Sequence, residues 1–264
     1  MKHHINYRWI GVAAILASAW YAQPAAKAAQ NLTEEFHQTC PLAEKGRVSL
    51  ENVNGAVHIA AWDRQEVKVD AVKQAKTAEY LGQISIDIKA DGDGVNIKTH
   101  LPNSTGKFNE SGQVEYHLMV PRQVRLDKIS NVNGAIEIKG VAGEIRASTV
   151  NGALTANPVS GFGSFNSVNG KVEVVMLELN PEGSLKLETV NGKVALSLPA
   201  TAQATVKADT LNGSIHTDLD LTVKKKFPVG TNLEGQLGNG GASVKLHSVN
   251  GSIEIKKADA ESAK

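Results

Sequence analysis

The side chains best suited to chemistry are scattered along this chain. Six histidines lie beyond residue 28 (His37, His58, His100, His117, His216 and His247), and none is four residues from another. Zinc sites written into local sequence need closely spaced His or Cys, so no metal-ligand spacing is present. Asp87, Asp91 and Asp93, with Gly92 and Gly94, loosely resemble a calcium loop. They lack its twelve-residue spacing and closing Glu, which makes a plain turn the better reading. Gly235–Gly241 is rich in glycine but precedes neither Lys-Ser/Thr nor a helix that could aim amides at phosphate. Gly161-Phe-Gly-Ser-Phe-Asn is no nucleophile elbow and reads as a bend. A glycan-cleaving β-helix would need acidic or basic groups gathered on one face and aromatic platforms for sugars, and aromatics are only 5% of this chain. The residues therefore offer no catalytic, cofactor-binding or metal set. A cluster assembled across neighbouring elements is the one route left open to an enzyme.

What does recur is an apolar residue followed by Asn-Gly. The seven copies are Asn54-Gly55, Asn133-Gly134, Asn151-Gly152, Asn169-Gly170, Asn191-Gly192, Asn212-Gly213 and Asn250-Gly251. Counting from the Asn, position −1 is Val or Leu, and −2 is Asn52, Asn131, Thr149, Ser167, Thr189, Thr210 or Ser248. Position +3 is always aliphatic. Asn and Gly accept positive φ cheaply, so each copy is expected to be a tight turn. The Asn residues are 79, 18, 18, 22, 21 and 38 apart. The long gaps are near multiples of the short ones, and Ser111-Gly112, Asp93-Gly94 and Asn232 sit where degenerate copies belong. This gives roughly ten or eleven units of one repeat.

Within a unit the apolar residues alternate, as in Leu185, Leu187, Val194, Leu196 and Leu198, which is the period of a strand. Asn-Gly between such runs is also a hairpin signal. A hairpin would put a polar −2 residue on the core face and an aliphatic −1 residue on the solvent face in all seven copies. A bend at −2/−3 removes that conflict by turning −1 inward and −2 outward. The expectation is thus an all-β solenoid, a single-stranded parallel β-helix of roughly 18–22-residue coils, with a hairpin-based β-sandwich as the alternative. Stacked coils would line up the Asn, and the Ser/Thr at −2, in ladders whose side chains bond one another. An 18-residue coil encloses a slender aliphatic core, with no room for an internal ligand.

The ends set the context. Lys2 and Arg8, the uncharged run Trp9–Ala22 and the small-x-small site Ala26-Lys27-Ala28 read as a signal peptide over residues 1–28. Its removal takes three bases and no acid, leaving 25 basic and 27 acidic residues and a net charge of −2. That balance argues against nucleic acid or an anionic membrane as partner. The basic run Lys224–Lys226 reads as a solvated loop. Cys40 is the sole cysteine, so no intramolecular disulfide forms. No transmembrane segment is expected after cleavage. Residues 29–47 are expected to cap the first coil, 48–257 to form the repeat domain and 258–264 to be a disordered tail.

Three segments carry a family resemblance. Val48–Asp63, Val114–Pro121 leading into the next Val-Asn-Gly, and Gly235–Gly241 ahead of the final repeat occur in that order. Together they resemble the bacterial "putative adhesin" β-strand-repeat proteins, a family of unknown molecular function. The resemblance implies a β-helical repeat fold and export to the periplasm or cell surface, and brings no catalytic or ligand residues. The function expected is a non-enzymatic binding or adhesion module of the cell envelope, its partner a protein or glycan. The alternatives are a periplasmic structural or accessory subunit and, less favoured, a polysaccharide-active enzyme.

Overall fold

Residues 31–102, 111–225 and 229–258 are described by the structure, a computed structural model. The expected signal peptide, the polar loop over 103–110, Lys226 and the tail from 259 lie outside them. The alternating runs form strands. In chain order these begin with β1 (Leu32–Pro41), β2 (Arg47–Glu51), β3 (Val57–Trp62), β4 (Glu66–Ala75), the short helix α1 (Ala78–Gln83), β5 (Ser85–Ala90), β6 (Gly94–His100) and β7 (Gly112–Pro121). Next come β8 (Arg125–Asn133), β9 (Ile136–Lys139), β10 (Glu144–Asn151), β11 (Leu154–Asn169), β12 (Val172–Leu179), β13 (Ser184–Asn191) and β14 (Val194–Leu198). The chain closes with β15 (Ala204–Asn212), β16 (Ile215–Thr217), β17 (Val223–Lys225), β18 (Thr231–Leu237), β19 (Ala242–Asn250) and β20 (Ile253–Lys257).

Two hydrogen-bonded layers share one aliphatic core. The first runs β1-β4-β7-β3-β9-β11-β12-β14-β20-β16, and the second runs β5-β6-β2-β8-β10-β11-β13-β19-β15-β18-β17. The long β11 serves both, bending at Gly161 (φ +100°). Each Asn-Gly joins a strand of the second sheet to a strand of the first. It therefore closes no hairpin, and neighbouring copies pair in parallel, as Asn133, Asn151, Asn169 and Asn191 do. The arrangement is all-β, mostly parallel and solenoid-like. Like residues stack in rows: Ile136, Leu154, Val172, Val194 and Ile253 form one, and Ile129, Ala147, Phe165, Leu187 and Leu246 another. Each fully buried aliphatic in these rows contributes about 1.5–3 kcal/mol of transfer free energy.

Stacking order departs from chain order at both ends. β19/β20 inserts between β13/β14 and β15/β16, while β2/β3 lies between β6/β7 and β8/β9. Antiparallel strands then cover the exposed edges: β1 and β4 beyond β7, β5 beyond β6, and β18 and β17 beyond β15. The segment ahead of Val48 holds a ten-residue strand, β1, which pairs with β4 and includes the buried Cys40. Asn232 lies in antiparallel β18 opposite Asp209 and is no repeat corner, and β7 pairs Tyr116, not Val114, with Val57. Both departures from the expected phase arise where capping replaces stacking.

The corner corrects three expectations. The −1 side chains do not point inward. Val53, Val132, Val150, Val168, Val190 and Leu211 are 37–49% exposed, whereas the −2 residues are 0–5% exposed. The pleat continues unbroken through −2 and −1, and the bend falls at the Gly. Nor do the −2 side chains bond one another; six donate to a glycine carbonyl of the adjacent coil, and Asn52 donates to Val114 O there instead (3.0 Å). Thr149 Oγ1 donates to Gly134 O (3.1 Å), Ser167 Oγ to Gly152 O (3.1 Å), Thr189 Oγ1 to Gly170 O (3.0 Å) and Thr210 Oγ1 to Gly251 O (2.9 Å). The parallel ladder engages the carbonyls on either side and skips this one: Asn151 O accepts from Gly134 N and Ala153 O from Ile136 N. A buried carbonyl left unpaired costs about 1–3 kcal/mol, so a short donor must sit on the core face.

The third correction is the reason for Gly. Of the seven corner glycines only Gly55 and Gly134 have positive φ, and no Asn does. The remainder are glycine because coils approach too closely for a side chain. A Cβ on Gly170 would lie 1.9 Å from Gly152 O, and one on Gly251 1.8 Å from Gly192 O.

Candidate functional site

Three outward surfaces arise from this stacking. The first is the Asn-Gly edge itself. Asn133 Nδ2 donates to Asn54 Oδ1, Asn151 to Asn133, Asn169 to Asn151, Asn191 to Asn169, Asn250 to Asn191 and Asn212 to Asn250, at 2.8–2.9 Å. This amide ladder, with Gly55, Gly134, Gly152, Gly170, Gly192, Gly213 and Gly251 beside it, fixes register and leaves little free hydrogen-bonding capacity for a ligand. Next to it the −1 aliphatics form an exposed stripe, bordering a cleft of about 490 Å³ lined by Val132, Val150, Val168 and Val190.

The second surface is the outer face of the second sheet, where acids and bases alternate across strands. Arg146 pairs with Asp127 (3.0 Å), Arg125 with Glu144 (3.4 Å), Lys186 with Glu188 (2.8 Å) and Lys207 with Glu234 (2.7 Å). A cleft of about 380 Å³ gathers Glu188, Asp209, Glu234 and His247, but Lys186, Lys207 and Lys245 line it too. Lys207 holds the Glu234 carboxyl below its ordinary range. Such matched charge gives the face no strong field of either sign.

The third surface is the outer face of the first sheet, where register places one residue from each strand in a row. It reads His37, Asp70, His117, His58, Glu137, Thr155, Glu173, Ala195, Glu254 and His216. At its edge Asp70 accepts from His37 Nδ1 (2.7 Å) and pairs with Lys68 (2.7 Å). Asp70, then Glu35, raises the His37 pKa; Lys68, then His37, lowers that of Asp70. Near the far edge Lys193 and then Lys256 hold Glu254 down at about 2.

Within this row the rings of His58 and His117 stack with centroids 4.8 Å apart and planes 11° from parallel. Glu115, two residues before His117 on β7, places Oε1 3.1 Å from His117 Nε2 and 3.8 Å from His58 Nε2. On the other side Glu137 Oε2 accepts from His58 Nδ1 at 3.0 Å. Lys139, then His58, lowers the Glu137 pKa, so this partner is a carboxylate. His58 points outward and is half-buried between β7 and β9.

Sequence spacing could not show this cluster, because His58 and His117 come from strands laid together by the inserted β2/β3 coil. The signal was present only as strand parity. The expected phase aligned Ser111-Gly112 with Asn54-Gly55, which sets His58 opposite Glu115; the observed register shifts β7 by two and sets His58 opposite His117. Asp91, by contrast, forms the plain turn expected, its Oδ1 accepting from Asp93 N and Gly94 N.

Residues 127–256 match the family described as Toastrack DUF4097. No curated protein matches the chain. Among solved structures, a putative cell adhesion protein of Clostridium sporogenes ATCC 15579 is similar at 14% identity and a TM-score of 0.42, over 85% of this chain and 100% of that one. A putative adhesin of Bacteroides fragilis NCTC 9343 is similar at 11% identity and a TM-score of 0.30, over 85% and 97%. A putative lipid binding protein of Parabacteroides distasonis ATCC 8503 is similar at 8% identity and a TM-score of 0.32, also over 85% and 97%.

Proposed function

We propose that this chain, which carries a Toastrack DUF4097 domain over residues 127–256, is an exported, non-enzymatic binding module of the bacterial cell envelope. The signal-like residues 1–28 direct it across the membrane, and residues 48–257 form the working domain. One observation carries the reading: the recurring residues are consumed by the fold, while the repeat leaves long outer surfaces and an aliphatic stripe along one edge. A groove of exposed Val beside a polar rim suits a protein or glycan surface better than a small reacting molecule. Among the described residues each carboxyl with a displaced pKa (Glu51, Asp70, Glu137, Glu234, Glu254) is displaced downward, toward the ion, which is the opposite of what a general acid requires. No helix of the described residues is long and apolar enough to cross a membrane.

Crosslinking in the native envelope followed by mass spectrometry tests this. The mature protein should begin at or near Ala29 and should be recovered with a surface glycan or protein that Val150→Asp/Val168→Asp releases. Recovery with a defined envelope complex, insensitive to the stripe, would instead favour a periplasmic accessory subunit. Glycan turnover by the purified chain, or an intact Met1 in the cytoplasm, would end the proposal.

A further inference from the structure

We propose that His58, His117 and Glu115 form a binding site for a divalent transition-metal ion of the zinc class, with Glu137 as the residue that positions His58. The inference does not rest on the binding role above. Among the described residues these three offer donor atoms that all lie within 4.8 Å of one another. Two imidazoles and one carboxylate are the donors that zinc prefers, and three protein ligands leave a fourth position for water or a partner's side chain. Calcium and magnesium are disfavoured by the nitrogen donors and the short supply of oxygens.

The geometry is close to what the ion needs. Donors around tetrahedral zinc, at about 2.0–2.1 Å from it, sit about 3.3 Å from one another. Glu115 Oε1 is 3.1 Å from one imidazole nitrogen and 3.8 Å from the other. Closing the remaining gap takes side-chain torsion only, because the parallel pairing of β3 and β7 already sets His58 beside His117.

The hydrogen bonds around the two rings support the assignment. The Glu137 carboxylate can only accept, so His58 Nδ1 carries a proton and Nε2 is the nitrogen left to face Glu115 and the ion. His58 Nε2 lies 3.8 Å from the Glu115 oxygen, a gap that an ion between them would close. His117 donates Nε2–H to Glu115 at 3.1 Å. A carboxylate behind a metal-facing histidine fixes its tautomer and raises its basicity, and Glu137, itself held by Lys139 (2.6 Å), occupies that place.

Other candidates carry less. The carboxylates of the 380 Å³ cleft are matched by lysines, His37 is committed to Asp70, and nothing shows what would cover the valine stripe.

Titration of the chelator-treated full chain with Zn²⁺ by calorimetry, and with Co²⁺ by visible absorption, tests the site. One saturable equivalent is expected, with the intense absorption of tetrahedral cobalt. His58→Ala and His117→Ala should each weaken Zn²⁺ binding at least about tenfold, and His216→Ala should leave it unchanged. Glu137→Gln should keep the cobalt spectrum while weakening affinity by about 10–100-fold. Thermal melts without metal should match the parent for all four, since these side chains lie outside the core. The proposal fails if no stoichiometric binding is seen, or if binding survives in the His58→Ala/His117→Ala double variant.

Discussion

The chain turns between its two sheets along two edges, and the two are held differently. At the Asn-Gly edge each coil is tied to the next by side chains: an amide ladder outside and a hydroxyl-to-carbonyl bond inside. At the opposite edge several turns close on themselves, with Val124 N donating to Pro121 O, Gly183 N to Asn180 O and Ala202 N to Pro199 O at 2.9–3.1 Å. Coils are linked there by backbone bonds, as from Ala142 N to Arg122 O (2.8 Å), and by side-chain contacts that do not recur, such as Arg122 to Asp63. Backbone bonds are open to almost any residue. Bonds that use a side chain must find the same residue type in every coil, and only the first edge repeats in sequence.

Substitutions can break that contrast, beginning with the largest effect. Gly192→Ala would set a Cβ 2.1 Å from Gly170 O, backbone that cannot step aside. It should cost about 3 kcal/mol by overpacking, read from denaturant unfolding. Glu182→Ala, in the self-closed turn opposite, should change stability by less than about 0.5 kcal/mol. Equal effects would erase the distinction between the edges.

Thr189→Val keeps the shape but orphans the Gly170 carbonyl, at an expected cost of about 1–3 kcal/mol. Thr189→Ser should recover most of it. If Val is tolerated as well as Ser, the inner bond is incidental.

A charge link also crosses coils beside the first edge, from Lys193 to Glu254. Glu254 ionises at about 2 in the folded chain against an ordinary 4.5, so the unfolded chain takes up the proton first as pH falls. Its stabilisation is complete above about 4.5 and fades as pH drops toward 2. Glu254→Gln should flatten the stability curve in that window and nowhere else. The smallest effect is Val190→Asp: at 40% exposure it should shift stability by less than about 0.5 kcal/mol.

That last value marks where sequence reasoning ran short. Alternation and the Asn-Gly period carried strands, parallel stacking and the ladder of Asn, because each follows from local residue types. The inward side was inverted by treating a polar residue at −2 as a solvent residue; a skipped glycine carbonyl, invisible in one coil alone, reverses it. Both ends and the His58–His117 pair were illegible for another reason. They depend on which coil lies beside which, and chain order does not encode the insertion of β2/β3 or β19/β20.

The second of those insertions constrains how the molecule can assemble. A repeat array ordinarily grows by each new unit adding to the last one formed. Here β15/β16 leaves the ribosome before β19/β20 yet occupies the position outside it, so zippering halts after β14. The last coil either docks first and recruits the earlier one backwards, or slides into a slot held open. Synthesis order and assembly order therefore part company, and residues 242–257 act as a keystone: until they arrive, β15 and β16 have no neighbour on their inner flank.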